Sequence, residues 1–228
     1  LPLACLLFLL PGASSGADAV RLELASPEEG TALGIGDRMV VWRTEATGSV
    51  LLGVSRDAGV SWTDLVERPA QDGIWFWDPK DLPDGAHIRL KLELKGVDGK
   101  VLSAVVRNLL VDRTAPKARL TGPATSQDAY VKLQVEASDA ASGMASLVLW
   151  ATEDGKSWSM AVPGESPDKP LEWTAPHRGR WGLYAVGRDR AGNEGPAPSE
   201  GTEPQLWIQV RTPEPWIARF DLVLPGPV

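Results

Sequence analysis

Cysteine, histidine and positive charge are all scarce in this sequence of 228 residues. Cys5 is the only cysteine, and His87 and His177 are the only histidines. No Ser/His/Asp spacing, H-E-x-x-H, Walker or G-x-G-x-x-G pattern occurs, which removes the common motif-borne hydrolase, metalloprotease and nucleotide chemistries. Acidic residues are scattered over turns, so no pair can be nominated for glycoside hydrolysis. Lys and Arg total 23 against 30 Asp and Glu, a formal net charge of -7, with no basic tract. Nucleic acid and anionic lipid need a positive footprint and are therefore poor candidates as partners. Convincing 3.6-residue periodicity is also missing, which leaves little room for amphipathic helices.

The apolar run at residues 1–10, LPLACLLFLL, falls short of the ~20 residues that a membrane span requires. Pro11-Gly12, a small-residue stretch and Ala17-Asp18-Ala19 follow. Residues 1–19 therefore read as a secretory signal peptide, truncated at its start and cleaved after Ala19; a buried helix is the bland alternative. Cleavage takes Cys5 with it, so the exported product has no thiol. Internal disulfides, Cys-based zinc sites, thiol catalysis and the disulfide-pinned antibody type of sandwich are then excluded. Each domain must be stable through its core alone.

Glycine and proline are plentiful, at 23 and 19 residues, which suits many turns between short strands. Ile88, Leu90, Leu92 and Leu94 alternate with Arg89, Lys91, Glu93 and Lys95. Val131, Leu133, Val135 and Ala137 alternate with Lys132, Gln134 and Glu136, and Leu22 and Leu24 with Arg21 and Glu23. Period-2 patterns of this kind describe half-buried antiparallel strands. The chain is expected to be all-β.

The strands come in two matching sets. Pro27 and Pro123 stand at the same spacing as Ser61-Trp62 and Ser157-Trp158. Trp77-Asp78-Pro79 resembles Trp173-Thr174-Ala175-Pro176, and Gly85-Ala86-His87 corresponds to Gly179-Arg180-Trp181. The segment from Val210 to Phe220 echoes Val111 to Leu120, like the start of a third copy. The expected layout is domain 1 at 20–111, domain 2 at 112–211, and a linker with the first strand of a further domain at 212–228.

These residues carry a resemblance. Val111-Asp112-Arg113-Thr114-Ala115-Pro116, Ser138-Asp139-Ala140-Ala141-Ser142-Gly143 and Gly187-Arg188-Asp189-Arg190-Ala191-Gly192-Asn193 make domain 2 similar to bacterial immunoglobulin-like or fibronectin III-like modules of exported surface proteins. Domain 1 resembles the exported Ig-like domains related to fungal cell-wall glucan-assembly proteins, through Ser26-Pro27-Glu28-Glu29-Gly30, the Ser55–Trp62 turn and Trp77-Asp78-Pro79 before Asp84-Gly85. The resemblance implies two tandem antiparallel Ig-like/fibronectin III-like β-sandwiches and transfers no catalytic set.

Ser55 to Trp62 fits the S-x-D-x-G-x-x-W pattern of an Asp-box hairpin, and Thr152 to Trp158 is a copy one residue shorter. Asp57 and Asp154 are expected to accept backbone N–H groups across their turns, Gly59 and Gly155 to supply positive φ, and Trp62 and Trp158 to pack beneath. Ten tryptophans are the oddest feature of the composition. Trp62, Trp158, Trp77 and Trp173 recur at equivalent places and read as core pins under turns. Trp42, Trp75 and Trp150 are not repeated and are the candidates for a sugar-stacking surface, with core or inter-domain packing as the competing reading. Trp75 and Trp77 share one face of an extended segment and Phe76 takes the other. His87 reads as a corner residue and His177 as part of an arginine-rich loop.

Calcium is the one cofactor in view. At one end of an Ig-type sandwich lie the lead-in and two loops, which in domain 2 carry Asp112, Asp139, Asp189 and Asn193. A hard cation with oxygen ligands could stiffen the hinge there; the plainer reading is that each Asp forms an Asx turn. The expected function is a non-catalytic structural spacer or adhesion/binding pair, secreted, periplasmic or at the bacterial cell surface. The alternative is a carbohydrate-binding accessory region of a larger polysaccharide-active or cell-wall protein. Expected partners are other domains of a longer chain and cell-wall polysaccharide or a surface protein, with no nucleic acid and no membrane span.

Overall fold

The computed structural model describes residues 20–211; the signal-peptide and linker readings at 1–19 and 212–228 lie outside the described residues. Within them the chain is all-β: sixteen strands and a single 3-10 turn at Ala70–Asp72, without an α-helix. The first eight strands are β1 (Leu22–Ser26), β2 (Ala32–Leu33), β3 (Arg38–Thr44), β4 (Ser49–Ser55), β5 (Thr63–Pro69), β6 (Ile74–Trp77), β7 (His87–Lys95) and β8 (Val101–Val111). The second eight are β9 (Lys117–Thr121), β10 (Thr125–Ser126), β11 (Tyr130–Ser138), β12 (Met144–Thr152), β13 (Ser159–Glu165), β14 (Leu171–Thr174), β15 (Gly179–Asp189) and β16 (Leu206–Val210).

The two sets build the same sandwich twice. A three-stranded sheet β1-β3-β6 faces a five-stranded sheet β2-β8-β7-β4-β5, and β9-β11-β14 faces β10-β16-β15-β12-β13. In each domain the short second strand pairs in parallel with the last, and the other pairings are antiparallel. The internal repeat seen in the sequence is thus a repeat of topology.

Alternation explains which residues fill the cores. Ile88, Leu90, Leu92 and Leu94 of β7 are buried while Arg89, Lys91, Glu93 and Lys95 point outward, as a pleated strand with one wet face requires. Opposite them on β4, Val54, Leu52 and Val50 register with Leu90, Leu92 and Leu94, and all belong to the first core with Trp42, Trp77 and Val111. The second core gathers Val131, Leu133, Leu147, Leu149, Leu183 and Ile208 around Trp173 and Trp181, whose rings meet edge to face at 5.8 Å and 72°. The pattern weakens at the end of β11, where Val135 and Ala137 are only half-buried. Beside them β9, the neighbouring edge strand of the same sheet, borders a shallow groove lined by Lys117, Arg119 and Glu136.

Leu92→Ala is expected to lower stability by about 2–5 kcal/mol, since Leu92 is fully buried in the first core. Urea denaturation followed by tryptophan fluorescence measures this, and a loss below about 1 kcal/mol would contradict a close-packed site.

Candidate functional site

Strand β8 ends at Val111 and β9 begins at Lys117, so residues 112–116 carry the chain from one sandwich to the next. They are held from both sides. The Asp112 N–H donates to Leu33 O of the first domain at 2.9 Å, continuing the pairing of β2. The Arg113 N–H donates to Asp84 Oδ1 at 2.7 Å, and its guanidinium donates to Lys80 O and Leu82 O, both at 2.6 Å. Thr114 Oγ1 donates to Asp84 Oδ2 at 2.5 Å. The Thr114 hydroxyl, followed by the Arg113 N–H, holds the Asp84 carboxyl below the usual aspartate range. On the other side Pro116 is buried against Gly187 of β15, where a Cβ would fall 3.2 Å from the proline ring.

A second set of contacts closes the joint. Asn193 Oδ1 accepts the Ile35 N–H at 3.3 Å, and its Nδ2 donates to Asp112 O at 2.8 Å and to Asp189 Oδ2 at 2.7 Å. Arg38 Nη2 donates to Ile35 O at 3.0 Å and to Ala191 O at 3.4 Å. Gly34 lies so close that a Cβ there would sit 2.5 Å from Ala191 O and 2.9 Å from Asn193 Oδ1. Only glycine fits this approach.

Against this joint, one carboxylate oxygen from each of Asp112, Asp139 and Asp189 lies within 4.8 Å of the other two. They come from the end of β8, the β11–β12 loop and the end of β15, three segments that the sandwich topology brings to one end. Asp112 and Asp189 are buried, at 0% and 1% exposure, and Asp139 is partly buried. Asp112 accepts the Thr114 N–H on Oδ1 and the Ser142 N–H on Oδ2. Asp189 Oδ1 accepts the Asn193 N–H at 2.7 Å. Asp139 Oδ1 accepts the N–H groups of Ala141 and Gly143, whereas its Oδ2 is buried without a hydrogen-bond partner. Oxygens bound to one calcium ion at 2.3–2.6 Å are at most about 5 Å apart, so the trio has the dimensions of part of a calcium shell.

Asn193, the fourth residue of the expected calcium set, stands beside Asp189, with its oxygen accepting from Ile35 and its two amide hydrogens facing acceptors. It positions Asp189 and the lead-in. The junction residues Gly34, Ile35 and Arg38 carry no motif, whereas Asp84 and Arg113 lie in segments that carry the resemblance but give no sign that they bond to each other.

The two aspartate turns have a different character. Asp57 accepts the Ser61 N–H at 2.9 Å and the Ser55 and Ser61 hydroxyls at 2.8 and 2.5 Å, and Gly59 adopts φ 92°. Asp154 accepts the N–H groups of Lys156 and Ser157, both at 2.8 Å, and the Thr152 hydroxyl at 3.0 Å, with Gly155 at φ 73°. These donors hold both carboxyls well below the usual range, Asp57 at about 2. Trp62 and Trp158 do not fill the cores as expected: both are half-buried. Trp62 lies under the Lys91 ammonium at 4.6 Å, and Trp158 donates to Ser199 O. Each turn leaves its ring on the outer sheet face.

The tryptophans proposed for sugar separate. Trp42 is 2% exposed and donates to Ala70 O inside the first core, so it cannot stack on a ligand; β3 turns it inward between the sheets. Trp150 is half-buried on the outer face of its sheet, in register with Met160 and Tyr184. Trp75 is half-buried and stacked on Trp77 at 6.4 Å and 13°. It borders a groove of about 410 Å³ with Arg68, Asp72, Ile74 and Phe76, whose ring is 58% exposed.

No family model matches the chain, and no curated protein matches it. Solved structures do. The fibronectin(III)-like modules of CbhA from Clostridium thermocellum are similar over 84% of this chain and 95% of theirs, at 16% identity and a TM-score of 0.51. The FN1–FN3 domains of chicken CNTN1 are similar over 82% of this chain and 64% of theirs, at 10% identity and a TM-score of 0.52. The chain thus has the fold of tandem fibronectin III-like, immunoglobulin-like sandwiches. Among the described residues, no helix is long and apolar enough to cross a membrane.

Because its pKa is depressed, Asp57 supports its turn fully above the ordinary aspartate range, and that support is lost as pH falls through about 2. A carboxyl NMR titration is expected to place its midpoint near this value. Ser61→Ala, which deletes the strongest donor, should move it toward 3.8. An unaltered protein titrating near 3.8 would show that the turn does not hold the carboxylate.

Proposed function

We propose that the chain is a non-catalytic spacer, exported from a bacterial cell, that holds neighbouring domains of a longer protein at a fixed relative orientation. The clamped lead-in carries this reading. Asp112, Arg113 and Thr114 all bond back to the first sandwich or its loops while Asn193 ties the same segment to the second. Modules joined by flexible linkers lack such contacts, and relative motion is then the default. The apolar leader-like N-terminus and the likeness of the first domain to exported Ig-like domains support export.

Residual dipolar couplings measured across both domains test this directly. One alignment tensor should fit both sandwiches, and separate tensors of unequal magnitude would remove the spacer reading. Asn193→Ala leaves buried donors and acceptors unpaired, which costs about 1–3 kcal/mol, and is expected to split the single tensor.

A second reading rests on the groove beside Trp75. Its half-open indole and exposed Phe76, with Arg68 and Asp72 as polar partners, suit CH–π packing against a sugar ring and favour a carbohydrate-binding accessory. Tryptophan fluorescence titrated with cell-wall and plant polysaccharides should then show a saturable shift that Trp75→Ala reduces. A flat response across the panel would eliminate this reading.

A further inference from the structure

We propose that Asp112, Asp139 and Asp189 together bind one calcium ion, and that this ion locks the joint between the two sandwiches. The inference rests on the spacer reading and names what regulates its stiffness. The first argument is charge. Asp112 and Asp189 are almost wholly buried, a third carboxylate oxygen lies within 4.8 Å of both, and none of the ion pairs among the described residues involves the three. Like charges crowded out of water repel one another and have lost their hydration, and the N–H groups that donate to them carry only partial charge, so a cation placed among them would be strongly favoured. The second argument is independent of the first. Asp139 Oδ2 is buried and has no donor, although its neighbours Oδ1 of the same side chain and both oxygens of Asp112 are each supplied with N–H groups. A buried carboxylate oxygen free of donors, on a side chain that meets two other carboxylates, has lone pairs available to a cation.

The donor set selects the ion. All candidate atoms are carboxylate oxygens, with no histidine or cysteine among them, so hard cations are favoured over zinc or copper. Each carboxylate has about four acceptor sites, and the N–H bonds use only part of that capacity. Magnesium needs near-ideal octahedral geometry at 2.0–2.1 Å, whereas calcium accepts irregular shells completed by water. The three oxygens hang from the ends of β8, β11 and β15, so one ion would cross-link the lead-in to both loops that flank it. Asn193, bonded to Asp189 and to Ile35, would transmit that restraint to the first domain.

The test uses the purified protein stripped with EDTA, with calcium chloride titrated in by calorimetry and magnesium chloride as comparator. We expect saturable binding of one calcium per chain, a rise in melting temperature reversed by EDTA, and a much weaker response to magnesium. Asp139→Asn keeps an oxygen for the Ala141 and Gly143 N–H groups but replaces the open acceptor with a donor. It should abolish calcium binding while leaving the metal-free melting temperature equal or higher, which separates loss of a ligand from loss of the fold. Absence of calcium binding would overturn the proposal, as would an Asp139→Asn protein that still binds. A melting temperature that ignores calcium but rises on acidification would assign the cluster to shared protons and overturn it too. Dipolar couplings recorded in EDTA and in calcium separate the two readings. A single tensor in EDTA without calcium binding removes the ion and leaves the spacer. Calcium binding with independent tensors in both states removes the locking role and the spacer reading together.

Discussion

The Asn193 side-chain amide is the interaction on which the arrangement of the two sandwiches depends. It is 6% exposed, and its three hydrogen bonds run to groups in different segments: Ile35 in the first domain, the Asp112 carbonyl in the lead-in and the Asp189 carboxylate in β15. A buried amide is stabilising only when satisfied in this way, and the same satisfaction makes it directional. Apolar contact alone would let the domains slide. Here Gly34, Pro116 and Arg38 close around a polar centre that accepts one geometry.

Aspartate takes two roles in this protein, and the difference lies in its surroundings. Asp57 and Asp154 sit in exposed hairpins where serine hydroxyls and N–H groups converge on them. Ionisation is favoured there and the charge is spent inside the turn. Asp112, Asp139 and Asp189 gather at a junction with fewer donors than acceptors. The turn aspartates complete their own loops, whereas the junction aspartates leave one buried oxygen, Asp139 Oδ2, without a donor.

Much of the architecture was legible because it is written locally. Alternation over Ile88–Leu94 and the Gly/Pro turns announce strands and their wet faces, and the paired Ser-Trp turns announce the duplication. The meeting of three aspartates followed from topology, since sandwich loops cluster at an end whatever their sequence. Trp42 was misread because both faces of β3 are apolar: Met39 and Val41 look no less like core than Val40 and Trp42, and only the opposite sheet decides. The bonds of Asn193 to Ile35 and to the Asp112 carbonyl had no local signal, because those partners are distant in the chain. Gly34 and Arg38 were invisible for the same reason, as their partners lie about 150 residues away.

The tethered Arg113 has one more consequence. Inter-domain segments are ordinarily where proteases cut, because cleavage needs several residues of extended, unbonded backbone and a free side chain for the enzyme's pocket. Here the only arginine between Val111 and Lys117 has its N–H and its guanidinium committed to Asp84, Lys80 and Leu82. To be cut there the lead-in must first peel away from the Lys80–Asp84 loop of the first sandwich, so resistance to cleavage at Arg113 follows the local opening of that contact and not the unfolding of either domain.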